Sequence, residues 1–241
     1  MKSWNTFALF ILISCILALM ITSCVKKIPS PHGEITSTSG IRYHTIRLDD
    51  GKTWLQWDIR EEGLGYTENP AIDSFYNNRD DRNRGYYYTY ESAQVACSQL
   101  GPEWRLPTKE DWDELINAYT GWEGDSATGD FLPLFYLCYP GEPYNCTRGP
   151  CFESGDGFTC DDFAQHDGLY ASTNGIHNTA YDGSFHGLLY ITSFWSATPE
   201  DTTANSFAWA YILNGRDISF HREPTHPEQS LSCRCVSDVI E

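Results

Sequence analysis

The sequence predicts an α+β fold, and three observations carry that reading. Aromatic-rich stretches with alternating polarity lie near both ends of the 241-residue chain. Two stretches between residues 90 and 119 have apolar residues at helical spacing instead. The long middle, Thr120 to Tyr190, loses helical periodicity and holds four of the cysteines. Strands, two helices, an irregular middle and strands again, in that order, describe an α+β domain rather than an alternating α/β sheet.

Taken from the start, "MKSWNTFALFILISCILALMITSC" has a basic residue, an apolar run from Phe7 to Ile21, and small residues before Cys24. The run is short for a membrane-spanning helix and suits a signal peptide. "MITSC" resembles a bacterial lipobox, which makes residues 1–23 a lipoprotein signal peptide and Cys24 the acylated first residue of the mature chain. The expected address is the outer membrane, lipid-anchored, with the periplasmic or cell-surface face left open. Residues 24–40, rich in Pro, Ser, Thr and Gly, read as the anchor and a flexible tether, and the domain is expected over 41–241.

"IRYHTIRLDDGKTWLQWDI" reads as two strands around the turn "DDGK". "YYYTYESAQVACSQL" starts as a strand and becomes a helix with Ala93, Ala96, Cys97 and Leu100 on one face. In "WRLPTKEDWDELINAY", Thr108 is placed to cap a helix and Asp111 to answer from the third helical position. Trp112, Leu115, Ile116 and Tyr119 then form an apolar stripe, and the carboxylates around it read as solvated or capping. After the middle segment, "SFWSATPE", "SFAWAYILNGRDISFHRE" and "SLSCRCVSDV" read as short strands with a hairpin at "LNGRD".

The formal charge is −17, and loss of a leader whose only charged side chain is Lys2 makes it −18. Such an acidic body repels phosphate backbones, so nucleic acid is not an expected partner. Past Cys24 the cysteines are Cys97, Cys138, Cys146, Cys151, Cys160, Cys233 and Cys235. In an exported chain these are expected in disulfides, with an odd one left over. Cys233 and Cys235 point to one face and are not expected both to reach one partner.

Several segments together, "DGKTWLQWDI", "GYYYTYESAQVAC", "EWRLPTKEDWDELI", "DGLYASTNGIHN", "FWSATPE" and "RCVSD", resemble the Fibrobacter succinogenes major paralogous domain, common in lipoproteins of Bacteroidota. The resemblance implies a C-type-lectin-like fold, with two helices on a small twisted antiparallel sheet and a long loop region before the last strands. It also implies that Cys97 pairs with Cys235. Cys138, Cys146, Cys151 and Cys160 then form an added staple within the loop.

The family supplies no reaction, so function is read from the residues. The expectation is a non-catalytic recognition domain for a glycan or protein ligand at the cell envelope, with the membrane reached through the acyl anchor. Trp122, Tyr139, Tyr144, Tyr170 and Tyr181 are the candidate ligand-stacking rings, though such rings also fill a loop's own core. Asp156, Asp161, Asp162 and Asp167 suit Ca²⁺ by oxygen content but lack EF-hand spacing, and an acidic solvated loop explains them better. No other cofactor is expected. The alternative is an enzyme of the formylglycine-generating, sulfatase-modifying type, working through loop cysteines or a metal. "CTRGPC" lies in the wrong part of the chain for it, and "CRC" has the wrong spacing.

Overall fold

The computed structural model describes residues 31–64, 86–119, 121, 124–128, 135–138, 146–148, 169–172, 176–177, 184–187, 191–200, 207–215 and 219–239. They belong to one compact unit. The architecture is β-rich, which corrects the expected α+β, C-type-lectin-like arrangement. Antiparallel sheets of five and four strands dominate, and among the described residues there are only two helices, of 9 and 11 residues.

Strand β1 (His32–Thr36) occupies part of the expected tether and pairs with β2 (Arg42–Arg47) from His32↔Ile46 to Thr36↔Arg42. It is an edge strand, half-exposed and polar, so it carries none of the apolar alternation that marks a strand in sequence. The turn into β3 (Thr53–Leu55) forms at "DDGK" as predicted. Gly51 takes φ +81°, and its amide donates to the Leu48 carbonyl. Asp50 secures the turn by accepting from the Lys52 amide (3.0 Å) and from Trp54 Nε1 (2.8 Å).

Helix α1 (Tyr90–Ser98) buries Ala93, Ala96 and Cys97, with Thr89 as its cap. Strand β4 (Trp104–Arg105) leads through "LPT" into helix α2 (Lys109–Tyr119). The expected cap is present in both directions: the Thr108 amide donates to Asp111 Oδ2 (2.7 Å), and the Asp111 amide donates to Thr108 Oγ1 (3.2 Å).

The middle segment is not simply irregular. Its described parts are the short strands β5 (Ser126–Thr128), β6 (Phe135–Cys138), β7 (Cys146–Arg148), β8 (Leu169–Ser172), β9 (Ile176–His177) and β10 (Phe185–His186). Strands β7, β6 and β8 form a sheet of their own, with β6 and β8 parallel. Strands this short show too few alternations to be read from sequence. The long strands β11 (Ile191–Pro199), β12 (Ala208–Asn214) and β13 (Ser219–Thr225) follow, with β12 and β13 joined at the expected hairpin and β5 added at the edge. Strand β14 (Val236–Ser237) returns to the first sheet, whose order is β1-β2-β3-β14-β4.

Two apolar clusters result. One centres on Trp112, whose ring stacks with Phe194 and Tyr211 at 5.4 Å each and meets Trp54 at 5.0 Å. The other gathers Ala93, Ala96, Cys97, Trp104, Leu106, Trp195, Leu231 and Cys235 between α1 and the strands.

Candidate functional site

The charged residues of "WRLPTKEDWDE" are tied into the frame. Asp111 is buried and accepts from Lys52 Nζ (2.6 Å), from both terminal nitrogens of Arg105 and from the Thr108 amide. Burial by itself raises a carboxyl; here the hydrogen bonds from Arg105, Lys52 and Thr108 outweigh it and hold Asp111 well below the usual carboxylate range. Arg105 reaches on to Asp238 (2.9 Å) beyond β14, and Lys52 to Glu114 (2.6 Å). Three distant parts of the chain therefore meet at one helix start. Pro107 contributes its carbonyl, which accepts from the Ala197 amide at 2.6 Å.

On the next turn, Asp113 accepts two 2.7 Å bonds from Arg222 Nη1, one from Tyr211 Oη (2.8 Å) and one from Lys109 Nζ (2.8 Å). Arg222 also donates to Asp125 Oδ1 at 2.9 Å, linking α2 to β13 and to the residues leading into β5. Asp111 keeps its expected capping role and also ties α2 to the first sheet, whereas Asp113, expected as solvated, ties it to the second. Partners 59 to 109 residues away leave no local pattern, so the sequence does not announce them.

A third polar cluster lies inside the "CRC" stretch. Arg234 has no exposed side-chain surface and lies over the Phe194 ring at 5.3 Å. It donates to Asp58 Oδ1 (2.5 Å) and to the carbonyls of Leu55 (3.0 Å) and Gln56 (2.5 Å). Burial raises Asp58 and lowers Arg234 from their ordinary values, and each partner's charge opposes that shift. The pair spans 176 residues and was not foreseen.

Around it are the three sulfurs of the second cluster. Cys97 and Cys235 are joined in a disulfide, as the resemblance implied. Cys233 is a buried free thiol whose Sγ lies 3.6 Å from Cys97 Sγ. The expectation that Cys233 and Cys235 would not both reach one partner is corrected: all three sulfurs lie within 4.8 Å of one another. The chain from 233 to 235 is not regular strand, so the spacing argument drawn from strand geometry does not hold there. Two of the three sulfurs are bonded to each other, so the group offers a single thiol, that of Cys233.

The other predicted site residues are mostly beyond view. Cys24, Trp122, Tyr139, Tyr144, Cys151, Asp156, Cys160, Asp161, Asp162, Asp167 and Tyr181 lie outside the described residues. Cys138 and Cys146 are opposite one another in the β6–β7 register, and Tyr170 lies in β8 opposite Tyr136 of β6. Of the histidines along the middle, His177 is buried beside the Tyr87 ring, whereas His186 is exposed and bonded to Ser184.

The frame described above is the part of the molecule that comparison with other proteins identifies. No curated protein and no solved structure matches the chain. The family description Fibrobacter succinogenes major domain matches residues 42–237, from the start of β2 to the end of β14. That span takes in the capping box, the buried Arg234–Asp58 pair and both disulfide cysteines, and the chain belongs to the Fibrobacter succinogenes major domain family.

Proposed function

We propose that this chain is an envelope lipoprotein, anchored through an acyl group on Cys24, whose domain is a non-catalytic recognition module for a glycan or a protein. The observation that supports this most is the fate of the motif residues. Trp104, Leu106 and Trp112 are core, Thr108 caps a helix, and Arg105 and Asp111 are paired with each other and with Asp238 and Lys52. A frame built this way leaves variable chemistry to the segment between α2 and β11, where Trp122, Tyr139, Tyr144, Tyr170 and Tyr181 are the ring candidates.

The test is binding of the domain to a glycan array and to envelope extract, repeated with each of those rings replaced by Ala. Loss of binding with an unchanged melting temperature is expected for at least one ring. Turnover that needs a metal or a free thiol, or binding that survives all five replacements, overturns the reading. Anchoring is tested separately by metabolic labelling with a fatty-acid analogue. The wild-type chain should take up label and Cys24→Ser should not.

A further inference from the structure

Disulfides break and re-form by attack of a thiolate on one sulfur of the bond, so a third sulfur in contact with a disulfide is a built-in reactant. Cys233 has that position. Its Sγ lies 3.6 Å from the Cys97 sulfur, and Cys235, the present partner, is two residues away on the same buried face. The thiol also faces the Ala93 carbonyl at 3.6 Å, the Arg234 guanidinium and the Asp58 carboxylate. No solvent reaches it, so an outside thiol or oxidant meets Cys233 only after the core opens.

We infer that Cys97 has two alternative partners, and that the bond tying α1 to the final strand region passes between Cys235 and Cys233 by internal exchange. In that step the Cys233 thiolate attacks Cys97 Sγ and a Cys97–Cys233 bond forms. The Cys97–Cys235 bond breaks, and Cys235 leaves as the thiolate and takes the proton that Cys233 gave up. One disulfide and one thiol exist before and after, so no oxidant or reductant is consumed. Burial pushes the Cys233 thiol well above its ordinary value, with the Asp58 charge adding to the shift and Arg234 opposing it. Exchange in the folded chain is therefore slow, and fastest while the core is forming. The consequence is that either cysteine can close the domain during oxidative folding, and exchange then passes the bond between them.

The test is Cys235→Ala, refolded in a glutathione redox buffer, quenched in acid, alkylated with a maleimide in mildly acidic denaturant and mapped by mass spectrometry. Expected is a Cys97–Cys233 bridge in most folded molecules, with a melting temperature above that of Cys97→Ala. A folded, oxidised Cys235→Ala in which Cys97 and Cys233 both carry label, or in which Cys97 pairs with a loop cysteine, overturns the inference. Should Cys235→Ala fail to fold, the wild-type chain decides. It is held at pH 8.5 below its unfolding transition, quenched in acid, alkylated with a maleimide in mildly acidic denaturant and mapped. A Cys97–Cys233 bridge with label on Cys235 supports exchange; label confined to Cys233, with Cys97–Cys235 intact throughout, refutes it.

Discussion

Replacing Trp112 by Ala removes the ring at the centre of the first apolar cluster. The side chain is wholly buried, and truncating such a residue costs about 3–5 kcal/mol in transfer and cavity terms. The surroundings place this site at the upper end. Two rings stack on Trp112 at 5.4 Å and a third meets it at 5.0 Å, each pair adding roughly 0.5–1.5 kcal/mol beyond area. Its Nε1–H donates to the Trp195 carbonyl at 3.3 Å, and losing that bond inside the core costs about 1 kcal/mol. Because those rings come from β3, β11 and β12, no single element can move to fill the space. The expected loss is about 4–5 kcal/mol in urea denaturation, with a melting temperature lower by roughly 10–15 °C. Trp112→Phe, which keeps an aromatic face but lacks the donor, should lose only about 1–2 kcal/mol. A Trp112→Ala protein within about 1 kcal/mol of wild type, with an unchanged denaturant slope, would refute the assignment of this residue to the frame.

Three further outcomes follow from the polar clusters and the disulfide. Asp111 titrates below its unfolded value, so its stabilisation is complete above about pH 4 and drains away as pH falls from there toward the folded value. Asp111→Asn should accordingly lose roughly 2–3 kcal/mol at neutral pH and flatten the acid limb of stability against pH; parallel acid limbs would contradict the pairing. Arg234→Met should cost about 3–5 kcal/mol by leaving Asp58 buried and unpaired, and Asp58→Asn added to it should cost far less than the sum, read from a double-mutant cycle in urea. Cys97→Ala removes a crosslink between residues 138 apart, for which chain entropy predicts about 4–5 kcal/mol; an unchanged urea midpoint would mean the bond does not constrain the unfolded chain.

How far the sequence revealed this structure depends on the range of the interaction. The turn at Asp50–Gly51, the box at Thr108 and Asp111, the stripe of Trp112, Leu115 and Ile116, and the hairpin at Asn214 are all set within a few residues, and all were readable. The fold class was not. Strands of two to four residues between 126 and 186 give no period, and the polar edge strand β1 looks like linker, so the two helices weighed too heavily. The sheet-to-helix clamps at Asp111 and Asp113 and the Arg234–Asp58 pair escaped because a lone charged residue carries no sign of a partner a hundred residues away. At the candidate site, the Cys97–Cys235 bond came from family resemblance, whereas the closeness of Cys233 to it depends on an irregular backbone that no spacing rule describes.

The position of β14 has a consequence for how the domain comes into being. Val236 pairs with Trp54 on one side and Arg105 on the other, so two residues near the end of the chain fill the gap between strands laid down much earlier. β3 is held only by β2, and β4 has no place in the sheet, until residue 237 is available, and closure over such separations is slow. A chain emerging from its N-terminus must therefore wait, with its first sheet split, until residue 237 has appeared. That delay gives surveillance a simple criterion, since any product cut short before Val236 leaves both strands with a bare edge for a protease to find.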